Sequence, residues 1–174
     1  FEQDGIFMEL IPQEVNILPA PKYWGIMNSS FKSSVRALAG LGRFDLIFCR
    51  IMQAAICRMF NSPERGEQHL WRYIKRALPA LDRKYDVAFG YMEKNPVYFV
   101  VDKVNADKKA GWIHTNYSHL NINKRIENKY FSCLDHIITV SGICAETLKA
   151  MFPAQKGKVR VIENILLPEL IRKM

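Results

Sequence analysis

The chain has 174 residues, 49% hydrophobic and 24% charged, which excludes a disordered segment and suffices for a core that needs neither disulfides nor a structural metal. Its net charge of +8 leaves nucleic acid, anionic lipid, an acidic ligand or a solvated face open as explanations. No apolar run reaches the ~20 residues that span a bilayer, because Arg50 and Arg58 interrupt the most apolar stretch, 44–60.

The chain opens on Phe1, with Glu2 and Asp4 where a secretory signal would carry positive charge, and reads as a fragment. Cys49, Cys57, Cys133 and Cys144 show no C-x-x-C spacing and have no nearby histidine pair, so no metal site is expected. Cys49 and Cys57 share a predicted helix about 12 Å apart, beyond disulfide reach. Free thiols point to a reducing, cytoplasmic location.

A short strand is predicted at 15–18 (VNIL), bounded by Pro12 and Pro19. From about 31 to 78 the pattern is helical, interrupted at Gly40-Leu41-Gly42 and at Ser62-Pro63. In the helix over 43–60, Arg43, Arg50 and Arg58 fall within about 80° of one another on an otherwise apolar rod. Two readings stand: a core helix whose solvated strip is the arginines, or a helix on an anionic membrane with Arg43, Arg50 and Arg58 at the headgroups. Residues 32–84 hold eleven bases against four acids, residues 1–31 one against four, and residues 85–174 thirteen against nine.

The second half alternates β-type runs with helical patterns. Strands are predicted at 86–90 (DVAFG), 110–114 (AGWIH), 136–140 (HIITV) and 158–162 (KVRVI), in that spatial order, with helices at about 95–105, 122–133 and 142–152. Short, nearly continuous apolar strands separated by single helices predict an α/β fold: a doubly wound, mainly parallel, Rossmann-like sheet. The expected domain spans 1–165, with 31–84 as a basic helical insertion. No G-x-G-x-x-G, P-loop or G-x-S-x-G motif occurs, so dinucleotide, P-loop and serine-hydrolase chemistry lack support.

Ligands of open α/β sheets bind at the carboxyl ends of the strands. The residues there are Tyr91 and Glu93, then His114, Thr115, Asn116 and Tyr117, then Ser141 and Gly142, then Asn164. Together they make a rim of hydroxyl, imidazole, amide and carboxylate groups suited to a polyhydroxylated ligand. Each also has a structural reading: a strand-end histidine is commonly a satisfied structural residue, and a serine opening a helix commonly caps it.

The segments YDVAFGYMEKNPVYFVVDKV, KKAGWIHTNY, CLDHIITVSGICAETLKAMFP and KVRVIENI, in this order and spacing, resemble the N-terminal half of a GT-B glycosyltransferase of family four. Bacterial members of that family often build surface polysaccharides. The resemblance covers about residues 85–165 well and 5–20 loosely. It implies retaining transfer of a sugar from a nucleotide-sugar donor to a glycan or lipid-linked acceptor, with no cofactor beyond the donor and no obligatory metal. It places His114 in the cleft near the donor sugar as the catalytic candidate, Ser141 at the "VS" strand end, and Asn164 before the crossover to a second domain, with 166–174 starting that crossover. Of the family pattern, the nucleotide-binding C-terminal domain and the first strand, glycine-rich loop, helix and second strand do not occur in this sequence. The chain is therefore expected to be an interior piece of a longer enzyme, inactive alone, with a sheet edge open to homodimer pairing. A noncatalytic module binding a partner or the inner membrane surface is the alternative. Nucleic acid is not expected, since the bases of 32–84 are interleaved with aliphatics and form no stacking platform.

Overall fold

The computed structural model describes residues 8–19, 23–60 and 62–164. Its contacts divide the chain into two units, Phe1–Asn61 with His69–Pro79, and Ser62–Gln68 with Ala80–Met174.

The first unit is helical. It contains α1 (Trp24–Asn28), α2 (Phe31–Gly40), α3 (Phe44–Met59) and the second half of α4 (Pro63–Ile74). The expected interruptions are where the helices stop. Gly42 adopts φ +67; its N–H reaches the Ala39 carbonyl at 3.0 Å, and the Arg43 N–H reaches Leu38 at 2.9 Å. This left-handed cap satisfies the last carbonyls of α2 and favours glycine. Met27, Leu38, Leu46, Cys49 and Ala77 form the buried core of this unit.

The strand expected at 15–18 does not form. Those residues are exposed and outside the sheet. The Val15 N–H is taken by the Pro12 carbonyl at 3.0 Å in a turn, and the flanking prolines offer no N–H to a ladder.

The second unit has the Rossmann-like α/β architecture that the alternation predicts. Strands β1 (Leu81–Tyr91), β2 (Val104–Ile113), β3 (His136–Thr139) and β4 (Val159–Val161) form an all-parallel sheet in the order β1-β2-β3-β4, flanked by α5 (Asn95–Lys103), α6 (Lys124–Ser132) and α7 (Gly142–Met151). β1 and β2 start earlier than their apolar runs. Their first halves are a polar ribbon, with Lys84 paired to Asp107 at 2.6 Å, anchored by Leu81, Tyr85 and Ala106 against Ala88, Val100 and Val104.

Alternation along β1 sorts its residues. Ala88 and Gly90 are buried, and Gly90 lies so close to α5 that a Cβ there would stand 2.6 Å from the Val97 Cα. Val87, Phe89 and Tyr91 are exposed. Among the described residues, β1 is an edge strand. The Met92 N–H donates to the Trp112 carbonyl at 3.0 Å, so by alternation the backbone groups of Ala88 and Gly90 also face β2, and those of Val87, Phe89 and Tyr91 face the open edge.

Candidate functional site at the carboxyl edge of the sheet

All four strands run the same way, so their carboxyl ends make one rim. Tyr91 stands level with Trp112, Ile113 with Thr139, and Thr139 with Val161. At about 4.8 Å between strands, the rim from Tyr91 to the end of β4 is about 14 Å wide.

The structure brings Tyr91, Glu93, His114 and Thr115 into direct contact. The Tyr91 ring meets the His114 ring edge-on at 4.5 Å, and the Trp112 indole lies nearly parallel to the imidazole at 6.3 Å and 12°. Phe89 and Tyr91 both flank Trp112, at 6.5 and 5.7 Å. The alternation of two adjacent strands thus builds an aromatic bank from Phe89 and Tyr91 on one and Trp112 and His114 on the other. Both His114 nitrogens and the Trp112 indole nitrogen are shielded yet have no hydrogen-bond partner. Such groups are rare, and each calls for a reason.

Glu93 fixes the loop under this bank. The Thr115 hydroxyl donates to its Oε1, and the His114 backbone N–H donates to its Oε2 at 3.3 Å. Half-burial pulls the Glu93 carboxyl up. The hydrogen bonds from Thr115, its own N–H and the His114 N–H, with Lys94 nearby, outweigh that and hold it below the usual range. With both oxygens engaged, Glu93 is a positioning residue. Its loop is strained: Met92 and Lys94 adopt φ of 84 and 63, conformations that cost non-glycine residues about 1–3 kcal/mol each and that collect at functional sites.

Other predicted residues hold the scaffold. Asn116 accepts from the N–H and the hydroxyl of Ser118, at 3.0 and 2.9 Å. Tyr117 is buried, and its hydroxyl donates to Glu127 at 2.8 Å, so it does not face a ligand. Ser141 caps α7 through the Cys144 N–H at 3.2 Å, while Gly142 is exposed at the first position of that helix, with open space around it. Asn164 is exposed beyond β4. The arginine stripe is likewise reassigned. Arg43 makes a double hydrogen bond to Asp45, at 2.9 and 2.7 Å, under the Tyr23 ring. Arg50 donates to Ser34, Gln53 and the Ser29 carbonyl, at 3.1, 2.8 and 2.9 Å. Of the three, only Arg58 is exposed; Arg43 and Arg50 are half-buried.

Sequence reasoning missed a buried polar cluster. Glu127 is fully buried; its Oε2 accepts from the Tyr98 hydroxyl and from Gln68 Nε2 at 2.7 Å, and its Oε1 accepts from Tyr117. Burial raises its pKa above the ordinary value, against the lowering effect of these donors. A signal was present: Glu127 shares the inward face of α6 with Tyr130 and Phe131, where a carboxylate is costly unless satisfied. Comparison with family models, with curated proteins and with solved structures found no match.

Proposed function

We propose that the chain is the acceptor-side part of a retaining glycosyltransferase, taking a glycan or lipid-linked acceptor at the rim around His114 and working with a nucleotide-binding domain. One observation carries this reading: an imidazole with two unpartnered nitrogens lies beside an exposed tyrosine and an indole at the carboxyl edge of a parallel sheet. Aromatic faces suit the C–H faces of a sugar ring, and the imidazole nitrogens, shielded in the free protein, suit its oxygens once the exposed Tyr91 ring beside them turns aside. In such a transfer the bond from the donor sugar to its diphosphate breaks, a bond to the acceptor oxygen forms, and the acceptor hydroxyl loses its proton. Here His114 contacts the sugar during charge development, while Glu93 and Thr115 hold the loop that presents it.

The test is a titration of the histidine-labelled chain with a panel of glycans and nucleotide-sugars, followed at the His114 ring resonances. Members of the sugar panel should shift them, and His114→Ala should abolish binding while leaving the unfolding midpoint nearly unchanged. No shift with any member at millimolar concentration, or full binding by the alanine variant, would refute the reading.

A further inference from the structure

Helix α3 turns its apolar side chains outward. Phe44, Phe48, Ile51, Ala55 and Met59 are all exposed, and Phe44 and Met59, at the two ends, are 71% and 72% so. At 100° per residue these five positions lie within about 80°, a continuous stripe along the ~24 Å of the helix. Leu46, Cys49 and Ile56 point the other way, into the protein. A stripe of this kind on a soluble surface marks an interaction site.

The charge around the stripe identifies what it fits. Residues 23–60 and 69–79 hold eight lysines and arginines and a single acid, Asp45, which Arg43 already pairs. Lys32, Arg36, Arg58 and Arg72 are exposed, and Arg58 adjoins Met59 at the end of the stripe. A second copy would bring two like-charged surfaces together, and a nucleic acid would gain nothing from the phenylalanines. An anionic bilayer offers phosphates to the bases and an acyl boundary to the apolar side chains.

We propose that α3 is an interfacial helix, lying in the plane of an anionic lipid surface with Phe44, Phe48, Ile51 and Met59 at the acyl boundary. It does not span: its length falls short of the ~30 Å hydrocarbon core, and no described helix is long and apolar enough to cross a membrane. The proposal stands apart from the sugar site.

The experiment is co-sedimentation of the 174-residue chain with vesicles of phosphatidylcholine alone and of phosphatidylcholine with phosphatidylglycerol. Binding to the anionic vesicles should be at least about tenfold tighter and should weaken with salt. The double variant Phe44→Ser/Phe48→Ser should lose about tenfold for each phenylalanine. Phe44 is largely exposed, while Phe48 also touches the Tyr73 ring edge-on at 6.0 Å, so the circular dichroism of this variant should match the parent; Ile51→Ser/Met59→Ser supplies an independent second pair. Equal sedimentation with both vesicle types overturns the proposal. So does anionic binding that both double variants retain, which would mean adsorption by the bases alone. Concentration-dependent self-association that the same substitutions abolish, without vesicle binding, would make the stripe a contact between copies and also overturn it.

Discussion

One methyl group at position 90 tests how β1 meets α5. In Gly90→Ala the new Cβ would stand 2.6 Å from the Val97 Cα, 2.8 Å from the Val97 nitrogen and 2.9 Å from the Pro96 carbonyl carbon. All three are backbone atoms, so no rotamer change relieves the overlap, and restoring ordinary contact requires about 0.8 Å of separation between strand and helix. α5 is not free to give way: Lys94 at its start pairs with Glu67, and Tyr98 one turn in is bonded to Glu127. Overpacking costs about 1–3 kcal/mol. A backbone clash on a pinned helix belongs at the upper end, and alanine's smaller unfolded-state entropy returns about 0.5 kcal/mol, for a net loss of about 2–3 kcal/mol. Gly111→Ala is the control, because its Cβ would meet the Leu134 and Val97 side chains at 2.9 and 3.0 Å, which can rotate; about 1 kcal/mol is expected there. Urea titrations followed at the Ile113 and Ile137 methyl resonances, both in the sheet core, read this unit separately. At a slope of about 2 kcal/mol per molar urea, the midpoint should fall by about 1–1.5 M for Gly90→Ala and about 0.5 M for Gly111→Ala. A loss below about 0.5 kcal/mol for Gly90→Ala, or a larger loss for Gly111→Ala, would refute the packing argument.

Two further substitutions probe charge and strain. Because burial raises the Glu127 pKa, the folded state binds the proton more tightly than the unfolded chain. Its favourable contribution is therefore full below the unfolded value of about 4.3 and is lost as pH rises through the higher folded value. Glu127→Gln should gain stability relative to the parent as pH climbs from about 4.5, measured as urea midpoints across pH 4.5–8; a pH-independent difference would contradict this assignment. Lys94→Gly should relieve a φ 63, ψ −111 backbone that costs about 1–3 kcal/mol, at the loss of a partly exposed ion pair worth about 0–1 kcal/mol. The expected net gain is about 1 kcal/mol by thermal unfolding, and a lower midpoint would mean that the Glu67 pair dominates.

What the sequence made legible follows from burial. The cores of the four strands and their order were readable because their apolar runs are short, regularly spaced and separated by helices. The first halves of β1 and β2 were not, because residues 82–84 and 107–108 are exposed and leave no hydrophobic trace. The stripe geometry of α3 was right, but its facing was not. Periodicity shows that two stripes are opposed without showing which one is solvated, and an arginine whose guanidinium finds carbonyl, hydroxyl and amide oxygens, as Arg50 does, can lie against the protein. At the rim, position after a strand found Tyr91, Glu93, His114 and Thr115. It could not separate them from Asn116, whose side chain holds a turn, or from Ser141, which caps α7, because a capping residue and a residue open to a ligand occupy the same place in sequence.

The open edge of β1 gives the sheet a gauge of its own occupancy. Amides at Ala88, Gly90 and Met92 turn toward β2, and those at Val87, Phe89 and Tyr91 turn outward, so deuterium uptake along one strand divides into slow and fast amides at alternate residues. A strand added at that edge would bring the fast set into the slow one and leave the other unchanged. Six consecutive residues thus carry both the signal of association and its internal reference.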